Sequence, residues 1–166
     1  RVTDRTDPNV LPAASVSWAV SPTMVLRAAY GATLARPIVR EVAPFLYPDF
    51  VRNRTVQGNP DLRTTAVHNA DLRWELYPAR GEVIAASLFY KFFSDPIERV
   101  ILDRNGNVTY DNVDGAQNFG AELEARISLG RIARELRTVY LNVNASLIYS
   151  RVSLNPAQQV NATNAE

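Results

Sequence analysis

Apolar and polar residues alternate along most of this chain, in six separate runs. From 12 to 20, Ala14, Val16, Trp18 and Val20 share one set of positions, and Ala13, Ser15, Ser17 and Ala19 share the other. A period of two belongs to a strand with two unlike faces. The pattern returns over 23–34, where Met24, Leu26, Ala28, Tyr30, Ala32 and Leu34 oppose Thr23, Arg27, Gly31 and Thr33. It returns again over 62–77, with Leu72, Trp74 and Leu76 against Asp71, Arg73 and Glu75, and then over 82–94, 118–129 and 137–152. Six strands are predicted over these ranges.

The connections alternate in length. Short turns are expected at 21–22, 78–81 and 130–136, the last open to a helical reading of about two turns through Ile132 and Leu136. Long loops are expected at 35–61, 95–117 and 153–166. The first carries prolines at 37, 44, 48 and 60 and is expected to hold no regular structure. The second contains Asn105-Gly106 between two β-branched runs, a strong hairpin signal. In an up-and-down meander, such alternation puts every short turn at one end of the sheet and every long loop at the other. With strands long enough to cross a bilayer when tilted, this is the pattern of an outer-membrane barrel.

Composition narrows the field further. With no cysteine there is no disulfide, thiolate metal site or cysteine nucleophile. A net charge of +1 with scattered basic residues gives no electrostatic case for nucleic acid. No apolar run reaches the length of a transmembrane helix, so a membrane location requires strands. A soluble β-sandwich would show the same periodicity. Against it stand the charges of both signs in the strand middles, at Arg27, Asp71, Arg73, Glu75, Lys91, Glu122, Glu124 and Arg126, which suit a wet lumen with cross-strand pairs. Aromatic residues at the ends of the apolar faces, namely Trp18, Trp74, Tyr90, Phe92 and Tyr149, match interfacial girdles.

The order of four segments resembles the barrel of TonB-dependent outer-membrane receptors. They are LRAAYGATLARPIVREVAP at 26–44, TVQGNPDL at 55–62, HNADLRWELYPARGEVIAASLFYKFFSDPIERV at 68–100 and NFGAELEARIS at 118–128. The resemblance covers most of residues 12–150. It implies an all-β, antiparallel meander of about six transmembrane strands, an internal piece of a barrel of the 22-stranded type. It also implies a plug domain and a TonB-contacting box, neither of which is found in this sequence. The implied function is TonB-dependent import of a scarce nutrient, such as siderophore-iron, cobalamin, a saccharide or a peptide, with no enzymatic activity and no cofactor. The implied partners are outer-membrane lipid, the remaining strands and plug, TonB and the nutrient. A structural or surface-display barrel without energised transport, and a soluble binding module, are the alternatives.

The resemblance implies loop-bracing roles for Arg36, Pro37, Glu41, Pro44, Gly58, Asn59 and Pro60. Arginine beside aromatics suits anionic or stacking ligands, which makes Arg40, Tyr47, Arg52 and Arg54 the candidate ligand-facing residues. Glu122 and Glu124 lie two apart and are expected to pair with Lys91 and Arg126 rather than act as an acid and base. The lone His68 reads as a rim or packing residue, not a metal ligand. The oxygen-rich stretch from Asp103 to Asp114 lacks the glycine spacing of an EF-hand and reads as turn chemistry.

Overall fold

The computed structural model describes residues 8–103 and 105–154. Six long antiparallel strands form one sheet: β1 (Ala13–Ser21), β2 (Met24–Ala35), β5 (Thr65–Leu76), β6 (Val83–Ser94), β9 (Gly115–Ser128) and β10 (Tyr140–Ser153). Their spatial order, β1-β2-β5-β6-β9-β10, is the chain order of the meander. Among the described residues every proline lies outside these strands, so no ladder donor is lost inside the sheet. The last connection is built from two 3₁₀ turns, Leu129–Arg131 and Arg134–Leu136, instead of a continuous helix. The expected loop at 153–166 lies outside the described residues beyond Leu154.

The first long connection differs from expectation. The stretch 35–61 contains a one-turn helix, α1 (Val39–Val42), and a hairpin of β3 (Leu46–Asp49) and β4 (Arg54–Gln57). The second long connection holds the expected hairpin, β7 (Ile97–Ile101) with β8 (Val108–Asn112). A parallel pairing, Val56 with Val108 and Gln57 with Thr109, joins the two hairpins into a four-stranded sheet ordered β3-β4-β8-β7. Pro48 fits there because β3 is an edge strand, with one side that needs no ladder donor. Asn53 supplies the left-handed residue of the β3–β4 turn, at φ 49°.

Burial is concentrated in this small second sheet. Val56, Leu62, Val108 and Tyr110 form its core, with Val42, Tyr47 and Ile97 packed against them. The six-stranded sheet is the opposite case. Register places Trp18, Leu26, Trp74 and Leu123 in one row of a common face, and Tyr30, Tyr90, Phe119 and Tyr149 in another. These large side chains are uncovered: Trp18 is 61% and Leu147 78% exposed. A soluble sandwich would bury that face under a second layer. No such layer is present among the described residues.

Candidate functional site

On the polar face, register brings side chains from five strands into one network. Arg27 donates from Nε to Glu75 Oε2 at 3.1 Å and from Nη1 to Ser17 Oγ at 2.9 Å. Arg73 donates to Glu75 Oε1 at 2.8 Å, Ser87 Oγ at 3.0 Å and Glu124 Oε2 at 2.7 Å. The Tyr77 hydroxyl adds a third donor to Glu75, at 2.9 Å. Two arginines and two carboxylates therefore neutralise one another across the middle of the sheet. Glu124 pairs with Arg73 rather than with the expected Lys91 or Arg126. The rows explain this: Lys91 stands level with Asn69 and Asn118, two rows from Glu122, while Arg126 rests its guanidinium 4.9 Å from the Tyr140 ring centroid. Among the described residues, the side chains of Asp71, Lys91 and Glu122 make no hydrogen bond or ion pair and project from the same face.

Phe89, one row nearer the long loops, covers Gly120. A Cβ at Gly120 would lie 2.7 Å from the Phe89 ring and 2.5 Å from the Leu147 carbonyl oxygen, so only glycine leaves room for the ring.

At the end of the sheet carrying the long connections, Asn59 bridges the two loops, while Glu41 and Gly58 make their contacts within the first. Glu41 caps α1, accepting from the Ile38 N–H at 3.0 Å. Asn59 donates from its side chain to the Tyr110 carbonyl at 3.0 Å and from its backbone to the Glu41 carbonyl at 2.6 Å. Gly58 is buried against Ala43. Arg36 is exposed and makes no side-chain hydrogen bond or ion pair among the described residues. Pro44 and Pro60 are exposed and Pro37 half-buried. From the other loop, Asn112 accepts from the Arg63 N–H at 2.7 Å and donates to the Asp95 carbonyl at the same distance. The two loops are one body.

The four ligand-facing candidates fall into two groups. Arg40 stacks 4.1 Å from the Tyr47 ring centroid, and the Tyr47 hydroxyl meets that of Tyr110 at 3.1 Å. Arg99 completes this group, donating to the Tyr110 hydroxyl at 3.3 Å. Burial and the Tyr110 contact push the Tyr47 phenol up from its usual range. Arg52 and Arg54 instead flank Asp49, each 3.6 Å from Oδ2. Neither Arg99 nor Tyr110 stood out in the sequence, because each is brought to the group by pairing between distant segments.

Glu82 was likewise unmarked. It is buried at the short-turn end and accepts Arg131 in a two-pronged pair, at 3.1 Å and 2.6 Å, together with the Ser128 N–H at 3.0 Å. Arg131 and the Ser128 amide hold its carboxyl below the usual carboxylate range. At the other end, Asn107 and nearby amides do the same for Asp103, which organises the β7–β8 turn.

A family model described as TonB dependent receptor-like, beta-barrel, matches residues 1–165. The chain belongs to the TonB-dependent receptor β-barrel family. Its place is therefore the bacterial outer membrane, where the apolar face of a barrel strand meets lipid. Among curated proteins no sequence matches significantly. Solved structures with the same fold include the siderophore receptor PirA from Pseudomonas aeruginosa, with a TM-score of 0.66 at 15% identity. The alignment covers 86% of this chain and 25% of PirA. Another is a variant of the ferric enterobactin receptor PfeA of the same organism, in complex with enterobactin, with a TM-score of 0.58 at 19% identity. It aligns over 72% of this chain and 20% of PfeA. The chain thus spans about a quarter or a fifth of the length of these receptors, and its six-stranded sheet is open at β1 and β10.

Proposed function

We infer that this chain is part of the barrel wall of an outer-membrane receptor that imports a scarce nutrient under TonB control. The observation that carries the reading is the family match over residues 1–165. In this reading the long loops face the exterior and the short turns the periplasm. The polar face lines the lumen, where its charges meet a plug domain and, with further strands, enclose the path of the nutrient. TonB acts on the plug, and the wall stays fixed.

The two-loop cap supports capture at the outer mouth. Packed on its own apolar core, it presents Arg40, Tyr47, Arg52 and Arg54 from a rigid base, and a rigid base lowers the ordering cost of binding. Cations on aromatic faces suit anionic chelates, and the siderophore receptors among the similar folds favour iron chelates over cobalamin, saccharides or peptides. The test is uptake in cells lacking the whole protein, under iron, cobalamin and carbon limitation, with and without TonB. A TonB-dependent defect under one limitation is expected. Unchanged uptake under all three would end the transport reading in favour of a structural barrel.

A further inference from the structure

The Asp103 turn reaches beyond its own hairpin. Asp103 uses both carboxylate oxygens there. Its Oδ1 accepts from the Asn105 N–H at 2.9 Å and the Asn107 N–H at 3.2 Å, and its Oδ2 accepts from Asn107 Nδ2 at 2.8 Å. With its NH2 end turned to the carboxylate, the Asn107 amide points its oxygen the other way, and that oxygen accepts the Thr55 N–H at 3.0 Å. Thr55 belongs to β4, 52 residues earlier and in the other long loop. The bond adjoins the two-residue parallel ladder of Val56–Val108 and Gln57–Thr109, so it lengthens a very short junction.

The charge of Asp103 decides which end of Asn107 faces Thr55. An ionised carboxylate only accepts hydrogen bonds, so it draws the NH2 end toward itself. A neutral carboxyl or amide carries a donor of its own and attracts the Asn107 oxygen instead. That turn of the amide sets NH2 against the Thr55 N–H, donor against donor, and the bond between the loops is lost. The Asn107 side chain and the turn amides hold the Asp103 carboxyl below the usual carboxylate range. On the facing hairpin the charged groups, Asp49, Arg52 and Arg54, are paired with one another. On its own hairpin Glu98, Arg99 and Asp111 lie on β7 and β8, outside the turn.

What the bond holds in place is a cleft of about 390 Å³ between the two turns. Phe50 and Arg54 line it from the first loop, Asn105 and Asn107 from the second. Arg54 Nε is buried, 3.6 Å from Asp49 Oδ2, and makes no hydrogen bond among the described residues. The cleft has one wall from each loop, so it exists only while the turns are docked.

We propose that Asp103 is a positioning residue for nutrient capture: through Asn107 it locks the second loop onto the hairpin of Arg52 and Arg54 and keeps the cleft at Arg54 assembled. The lock matters for capture only if the cap has the role inferred for it above. Amide exchange reads the lock and uptake reads transport, so the two fail separately.

The whole receptor is purified in detergent, and the protection factor of the Thr55 amide is measured by hydrogen exchange and mass spectrometry. Asp103→Asn has one acceptor oxygen in place of two, so it gives up either the turn amides or Asn107 Nδ2. It should lower Thr55 protection about fivefold, the worth of one ordinary hydrogen bond. Asn107→Asp alone sets two carboxylates against each other and should lower it at least as far. The two exchanges together rebuild the contact in reverse, an amide donating to a carboxylate whose second oxygen accepts the Thr55 N–H, and should recover most of the protection. A residue that only filled space in the turn would show no such rescue. In the native protein the lock is complete above the unfolded Asp103 value, about 3.9, and Thr55 protection should fall as pH drops through the lower folded value. Asp103→Asn should lack that step, which separates it from any titration of Asp49. Asn105→Ala, on the same wall but with its side chain outside the lock, should change nothing. Heat-modifiable mobility in gels verifies that each variant is folded. Unchanged Thr55 protection in folded Asp103→Asn, or a double exchange no better protected than Asp103→Asn alone, would overturn the proposal.

Discussion

The carbonyl oxygen of Ala43 stands 2.1 Å from where a Cβ on Gly58 would be. The two segments of the first long loop cross there with no room for a side chain on Gly58, and the crossing sets the end of α1 against the end of β4. Gly58→Ala must push them apart. It is expected to cost roughly 3 kcal/mol, the upper end for overpacking, and to loosen the cap without unfolding the strands. Limited proteolysis on intact cells should find new cleavage between 38 and 60, while heat-modifiable mobility stays normal.

Phe89 and Gly120 make the same kind of contact on the polar face. Gly120→Ala is expected to destabilise the β6–β9–β10 region by about 2 kcal/mol. Adding Phe89→Ala should recover only part of that loss, because the Leu147 carbonyl still opposes the new methyl group. Full recovery in denaturant titrations would show the ring to be the sole obstacle.

Glu75 is the hub of the ion network, with its side chain 9% exposed and two guanidinium groups upon it. Glu75→Gln removes the counter-charge that Arg27 and Arg73 share and, with Arg27 half-exposed and Arg73 still paired with Glu124, should cost roughly 2 kcal/mol. Glu124→Gln should cost under about 1 kcal/mol, since that carboxylate is 43% exposed and water replaces it readily. The order of the two effects in urea midpoints is the discriminating result.

The Glu82 clamp fixes a pH dependence. Its folded pKa is depressed by Arg131 and the Ser128 amide, so its contribution is complete above the unfolded value, near 4.3, and is lost as pH falls through the lower folded value. The protection factor of the Ser128 amide, its exchange rate relative to the free-amide rate at the same pH, should fall across that acid range. In Glu82→Gln the Ser128 amide should be less protected at neutral pH and show no further acid step.

Arg52→Ala and Arg54→Ala, made together, are expected to weaken nutrient binding at least severalfold while leaving the cap core intact, because that core is built from Val56, Leu62, Val108 and Tyr110. Unchanged affinity in equilibrium binding would remove both from the site.

The six strands were legible because period-two alternation is a local signal, written afresh in each run. Alternation also identified the polar face, and with it Arg27, Arg73, Glu75 and Glu124. Their partners were not legible. Arg73 and Glu124 are 51 residues apart, and only the register of three strands makes them neighbours. The cap escaped notice for a related reason. β3 and β4 are four residues each, too short for alternation to register, and β3 contains a proline tolerated because it lies at an edge. Glu82 follows a turn glycine and reads as solvent-facing until its partner arrives from 49 residues away.

The parallel pair Val56–Val108 also sets an order of assembly. Joining two residues 52 positions apart in a free chain closes a large loop. Once β5 and β6 zip to their Ala66–Ser94 register, the unpaired chain between the partners shrinks to about ten residues on one side and fourteen on the other. The cap is therefore the late product of a hairpin formed earlier, and its closure reports that the wall beneath it has already reached register.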